Sequence, residues 1–310
     1  MAKEFQPLFV GGSGRSGTTI AVNLLNRHSQ VHTSLPREIK YLTSRSGLID
    51  LVYGRPIGLE ENNSAVRNNI YARLLPLVGK SKLKFFQQNL NGSWWNEIGK
   101  KGKPRGLIQG IDEKTLIEAE KKFLLKFRSQ PEVAARELFY DLSSDQLKSS
   151  GIKYFADSTP VNIMQANFIK KLFPDALFIN MVRDGRDVAL SVSNERWGPN
   201  DPYEALSWWA NRVFKAHRSL ELIPKDQQIT IRLEDLVYRN RDFSYNSLLN
   251  FLAIESEVPL ADFFAAELTK DKLNEGLWKE KVSNPAKFEK KYLKILKRLE
   301  NKGMFVEKFY

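Results

Sequence analysis

Short apolar runs recur along the chain, each closed by a polar turn and followed by a stretch with helical spacing. Residues 7–10 form the first run, and an amphipathic segment over residues 18–27 follows it. Residues 30–34 and 153–156 have the length and pattern of further strands. Residues 177–182 are apolar except for Asn180, the composition of a central parallel strand covered on both faces. Residues 228–233 complete the series. Helical patterns lie between these runs, at residues 161–172, where Pro160 suits the first helical position, at 184–194 and at 203–222. Glu234-Asp235-Leu236 reads as the cap of another helix. Strands alternating with helices predict an α/β fold with a mainly parallel central sheet flanked by helices. In such sheets ligands bind beyond the carboxyl ends of the strands.

Residues 43–151 lose this alternation. Helical spacing is clearest at 115–127 and 131–140, with polar breaks such as Asn62-Asn63-Ser64 between segments. The region reads as a mostly helical insertion within a single domain spanning residues 1–310, lying over one end of the sheet and shaping part of the site. Residues 80–105 carry seven basic residues and one acidic residue around Trp94 and Trp95. A solvated basic turn accounts for them, and an acceptor-facing loop is the functional alternative.

The first apolar run breaks into Gly11-Gly12-Ser13-Gly14-Arg15-Ser16-Gly17-Thr18-Thr19, with four glycines in seven residues. Glycines permit a tight turn that gathers successive N–H groups, and the following helix start adds unpaired donors and a positive dipole end. Arg15 and the hydroxyls of Ser16, Thr18 and Thr19 add charge and hydrogen bonds suited to a phosphate ester. The nucleoside triphosphate version of this loop places Lys directly after its last glycine. Thr18 occupies that position here and the cation is Arg15, which argues against a nucleotide or small-molecule kinase.

The net charge of +12 calls for an anionic partner. Nucleic acid would supply one, but no recognition helix, zinc spacing or RNA-binding aromatic pattern accompanies the basic residues. Residues 279–302 hold nine basic and three acidic residues, which a solvated terminal helix explains as well. The chain has no cysteine, so it holds no disulfide and no thiolate metal site. No apolar run has the length of a membrane span, and no secretory-type leader precedes the first strand. A cytoplasmic protein is the expectation. His28, His32 and His217 read as structural or solvated, and no metal-ligand spacing is present.

A second anion site is suggested by Arg183 at the carboxyl end of the 177–182 strand, with Ser191 two helical turns later. An ion-pair network of Arg183 with Asp184 and Asp187 is the alternative for this segment alone. Taken together, the glycine loop and the stretch from Phe173-Pro174-Asp175 through Val182-Arg183-Asp184-Gly185-Arg186-Asp187 to Ser191 resemble the sulfotransferases that use 3′-phosphoadenylyl sulfate. The wording is closest to tyrosylprotein and bacterial members. Pro36-Arg37-Glu38-Ile39-Lys40-Tyr41-Leu42 is similar to the acidic segment of heparan-type domains. Ile231-Arg232-Leu233-Glu234-Asp235-Leu236-Val237 resembles a late strand-end motif, and Gly276-Leu277-Trp278-Lys279 resembles the loop that closes over the adenosine phosphates. The likeness covers residues 7–42 and 153–282.

The resemblance implies a P-loop-like fold and metal-free, in-line transfer of a sulfuryl group from that donor to an acceptor hydroxyl or amine. It assigns the donor's 5′-phosphosulfate to Gly14, Arg15, Ser16, Gly17, Thr18 and Thr19. Its 3′-phosphate falls to Arg183 and Ser191, with Trp278 and Lys279 closing over it. Arg15 neutralises the departing phosphate, and Glu38 is the general base, with Asp157 as a second candidate. Ser158 stands where many relatives carry a Lys, so it offers only a hydrogen bond, and Lys40 is a candidate substitute. Leu233 replaces an aromatic that often meets the adenine. The acceptor, an acidic molecule among the options, is not identified by any motif.

Overall fold

A computed structural model describes residues 5–54, 82–99, 102–147 and 150–309. The polar break at residues 62–64 and the basic residues Lys80, Lys100 and Lys101 lie outside the described residues. Five strands make one sheet: β1 (Gln6–Gly12), β2 (Val31–Thr33), β3 (Tyr154–Asp157), β4 (Leu177–Val182) and β5 (Gln228–Arg232). Their order is β2-β3-β1-β4-β5, and every neighbouring pair is parallel. β4 is buried at every position, as its apolar run requires, and it carries Leu177 to Met181 alongside Leu8 to Gly12 of β1.

In chain order the helices are α1 (Thr18–Leu25), α2 (Lys40–Thr43), α3 (Leu48–Tyr53), α4 (Lys82–Leu90), α5 (Glu113–Phe127) and α6 (Pro131–Ser144). They continue as α7 (Ala166–Leu172), α8 (Gly185–Ser193), α9 (Pro202–Leu220), α10 (Arg241–Leu252), α11 (Val258–Glu267), α12 (Trp278–Lys281) and α13 (Pro285–Glu300). Alternate strand residues point to opposite faces. Leu8, Val10, Ile179 and Met181 therefore join α1, α10 and α11 in one core. Phe9, Phe155 and Phe178 face the other way, into a core shared with α3, α4, α5, α6 and α7. A third core gathers Val182, α8, α9 and α13. No helix among the described residues is long and apolar enough to cross a membrane.

Two elements differ from their sequence expectation. Residues 161–172 do not form one α-helix: Pro160–Gln165 is a 3-10 helix, and the α-helix begins only at Ala166. Tertiary bonds compete with the helical pattern there. The Asn162 amide is held between the Asp157 carboxylate and the Thr43 hydroxyl, and Gln165 donates to the Thr43 carbonyl. Glu234 stands at the N-cap position of the next helix, but its side chain makes no capping bond. Asp235–Arg239 is a π-helix, and the buried Glu234 carboxylate accepts from the Arg232 guanidinium at 3.0 Å and from the Asp184 N–H at 2.9 Å. A carboxylate withdrawn from water takes its strongest donors, here a buried guanidinium and a fixed amide.

Candidate active site

The glycine loop leaves β1 at the carboxyl edge of the sheet. Gly12 is forced by close packing, because a Cβ there would lie 2.3 Å from the Met181 carbonyl oxygen. Gly14, Arg15 and Gly17 then take left-handed conformations, with φ of 87°, 56° and 94°. Gly17 is the N-cap of α1 and supplies no side-chain cap, so the helix start keeps its backbone donors available. Leu233 packs against Gly17, where an added Cβ would come within 2.7 Å of it. The Ser16 hydroxyl is buried in this turn and has no hydrogen-bond partner among the described residues. Thr18 is buried and Thr19 exposed. Arg212 on α9 ties the loop down from behind, donating to the Ser13 carbonyl at 2.6 Å while covering the Trp208 ring.

The second anion segment meets this loop directly. Arg15 Nε donates to Ser191 Oγ at 2.8 Å across 176 positions of sequence. Arg183 Nη1 reaches the Arg15 carbonyl at 3.4 Å, and its Nη2 donates to the Asn274 carbonyl. Arg183 Nε has no hydrogen-bond partner among the described residues. The Asp184 side chain caps α8 through the Arg186 N–H and pairs with the Arg186 guanidinium at 2.6 Å, so Arg183 itself is left for the loop. Asp187 accepts the Gly276 N–H, and burial pushes its carboxyl up to about 6. Trp278 is buried 3% exposed, with the Arg186 guanidinium over its ring at 4.7 Å. Its aromatic face is thus filled from within the protein, whereas Lys279 stands exposed beside it.

Glu38 lies between β2 and α2 and is half-buried. Burial raises its carboxyl above the ordinary range. Arg105 and Lys40 oppose that rise, and Glu97 adds to it. Lys40 is taken by Glu97 at 2.6 Å, so it is not the free substitute cation that the sequence suggested. Two residues at the end of β3 hold the Glu38 segment. Ser158 donates through both its N–H and its hydroxyl to the Arg37 carbonyl, each at 2.9 Å. Asp157 accepts the Ile39 N–H at 3.1 Å, the Thr159 N–H and hydroxyl at 3.0 and 2.7 Å, and the Asn162 amide at 2.5 Å. Asp157 is completely buried, which raises its carboxyl to about 6 against the pull of those four bonds.

Some participants were not singled out in the sequence. Glu97 and Arg105 come from the 80–105 stretch and reach the surroundings of Glu38, while Trp94 and Trp95 turn inward to the core. Glu195 stands 3.9 Å from Arg15, and its position one helical turn after Ser191 was a spacing that could have revealed it. The histidines lie in ordinary settings. His28 bonds the Glu255 carbonyl and the Gln30 N–H, His32 stacks on Phe155, and His217 faces Glu221. No group of three His, Asp or Glu among the described residues is arranged to hold a metal ion.

Comparison with known proteins bears on the family and the fold. The family model described as "Sulfotransferase family" matches residues 91–257, just over half the chain. Among solved structures, the sulfotransferase domain from the curacin biosynthetic pathway aligns with a TM-score of 0.54 at 16% identity, over 96% of this chain and 99% of that one. The sulfotransferase STF9 from Mycobacterium avium aligns with a TM-score of 0.50 at 14% identity, over 96% of this chain and 77% of that one. At those identities the likeness is one of fold. No curated protein sequence matches the chain.

Proposed function

This chain belongs to the sulfotransferase family, and from that premise we propose that it moves a sulfuryl group from 3′-phosphoadenylyl sulfate to an acceptor hydroxyl or amine. The observation that carries the donor assignment is the Arg15–Ser191 hydrogen bond with Arg183 on the Arg15 carbonyl. Two anion-binding segments distant in sequence thereby meet, an arrangement that suits a ligand carrying phosphates on the 3′ and 5′ positions of one ribose. The residues fit such a ligand. A buried, unpartnered Ser16 hydroxyl faces a cradle too tight for any Cβ at Gly12, and Arg183 keeps an unpartnered Nε.

Gly14, Arg15, Ser16, Gly17, Thr18 and Thr19 would hold the 5′-phosphosulfate, and Arg183, Ser191 and Lys279 the 3′-phosphate. The donor supplies an activated sulfuryl group: the acceptor oxygen–sulfur bond forms as the bond to the bridging phosphate oxygen breaks. Arg15 stabilises the charge left on that oxygen and, being permanently protonated, does so without giving up a proton. Glu38 takes the acceptor proton, and burial raises its carboxyl above the ordinary range, the direction that makes it a stronger proton acceptor. Asp157 and Ser158 act as positioning residues, since their bonds go to Ile39 and Arg37 on either side of Glu38. Trp278 belongs to the frame under Arg186 and orders the loop that carries Lys279.

Calorimetric titration tests this reading. Adenosine 3′,5′-bisphosphate should bind without added metal and at least tenfold more tightly than ATP with magnesium. Tighter binding of ATP–magnesium would sink the assignment and favour a kinase instead.

A further inference from the structure

Five of the six tryptophans are buried, and Trp197 alone is exposed, at 39%. Its place is built. Gly198 lets the chain fold back onto α8, because a Cβ there would lie 2.3 Å from a Val192 methyl group, and the Gly198 N–H closes a turn on the Glu195 carbonyl at 3.2 Å. Trp208 backs the exposed ring with centroids 5.7 Å apart, and the Arg212 guanidinium covers Trp208 in turn. Both indoles reach the glycine loop, where a Cβ on Gly14 would lie 3.7 Å from the Cη2 atom of each. Glu195, two residues before Trp197, pairs with Arg15. The exposed indole therefore borders the loop at the residues next to the proposed leaving-group cation.

Resting on the reading above, we propose that Trp197, supported by Trp208, is the platform on which the acceptor lies, and that the acceptor is a flat aromatic molecule carrying a phenolic hydroxyl. In-line transfer requires the acceptor oxygen to approach the sulfur from the side opposite the leaving phosphate, and Trp197 lies against Gly14, the loop residue next to the leaving-group cation. An indole backed by Trp208 gives a planar ring a large stacking area at little cost in ordering. A phenol ionises near pH 10, far below an aliphatic alcohol, so its proton passes more readily to a carboxylate. Flat rings are favoured over aliphatic ones by the first argument and phenols over alcohols by the second.

The test compares wild type, Trp197→Ala and Trp197→Phe with 2-naphthol and cyclohexanol as acceptors. Adenosine 3′,5′-bisphosphate binding is measured in each protein. Wild type should prefer 2-naphthol. Trp197→Ala should lose about tenfold in kcat/KM for 2-naphthol through KM, change less than about twofold for cyclohexanol, and bind the bisphosphate as before; Trp197→Phe should recover most of the loss. No wild-type preference for 2-naphthol, equal losses on both acceptors, or an unaffected Trp197→Ala enzyme would overturn the platform. Failure of wild type to bind the bisphosphate would instead remove the sulfuryl-transfer reading beneath it.

Discussion

The carboxylate of Asp187 receives the backbone N–H of Gly276 on both of its oxygens, at 2.9 and 3.1 Å. A helix next to the phosphate loop is thereby fastened to the segment that carries Trp278 and Lys279. The bond has a pH signature. Burial raises the Asp187 carboxyl to about 6, so between pH 4 and 6 the folded chain keeps a proton that the unfolded chain has released. Stability from this group is therefore present at the acid end and falls as pH rises through that window. Asp187→Asn should flatten the fall by up to about 3 kcal/mol over the whole window, of which about 2 kcal/mol lies between pH 4.5 and 6.5. Urea unfolding of both proteins at pH 4.5 and 6.5 reads the difference, and parallel profiles would contradict the assignment. Asp157 titrates alike in both and cancels.

Glu38→Gln should lower kcat by at least about a hundredfold, the range of a general base, and leave adenosine 3′,5′-bisphosphate affinity unchanged. Because burial lifts the Glu38 carboxyl and only its ionised form accepts a proton, wild-type kcat/KM should rise with pH along an acid limb above the ordinary glutamate range. That limb should vanish from the residual activity of the variant. An active Glu38→Gln enzyme with the limb intact would move the base elsewhere.

Asp157 should behave as a structural carboxylate. Asp157→Ala strands the Ile39 and Thr159 N–H groups, the Thr159 hydroxyl and the Asn162 amide inside the protein. The cost is about 3–5 kcal/mol, read as a lower unfolding midpoint in denaturant. Asp157→Asn keeps an acceptor for Ile39 and should retain part of both stability and turnover. If Asp157→Asn were fully stable yet inert, a direct role in proton transfer would be indicated instead.

Strands were the most legible part of the chain, because a parallel strand covered on both faces is a continuous apolar run, and residues 177–182 match β4 at both ends. The glycine loop was equally legible, since Gly14 and Gly17 take the left-handed φ values that glycine favours and Gly12 admits the close Met181 approach. What sequence spacing could not carry was long-range pairing of polar side chains. Glu234 looks like a helix cap in one dimension and is a buried partner of Arg232 and Asp184 in three. Lys40 looked like a free cation until Glu97, 57 positions later, closed on it. In the sequence Trp197, Trp208 and Trp209 form one aromatic set, with nothing in the spacing to mark the exposed member. Only the fold-back at Gly198 separates it from them and turns it toward the loop.

Arg183 and Ser191 should be separable by their effects on the desulfated donor. Arg183→Ala removes a charged donor from the 3′-phosphate and should weaken the bisphosphate by about ten- to a hundredfold, the worth of a charge-assisted hydrogen bond. Ser191→Ala removes a neutral hydroxyl and also frees Arg15 Nε. It should weaken binding less, by about fivefold, but lower kcat as well, because the leaving-group cation loses its anchor. Calorimetry with steady-state rates distinguishes the two. An Arg183→Ala protein that binds the bisphosphate like wild type would break the donor assignment at its second end.

Gly12 and Gly14 provide the last contrast, because the same added methyl group meets opposite obstacles. At Gly12 it would press to 2.3 Å against the Met181 carbonyl, part of a fully buried strand that cannot retreat, so the loop itself must move. At Gly14 it would meet only ordinary indole contacts at 3.7 Å, and the penalty is the positive φ of 87°, about 1–2 kcal/mol. Gly14→Ala should therefore lower the melting temperature by a few degrees while keeping bisphosphate binding within about threefold. Gly12→Ala should abolish binding even where the protein remains folded by circular dichroism. Equal affinity in the two variants would mean that the Gly12 approach to β4 does not set the shape of the phosphate cradle.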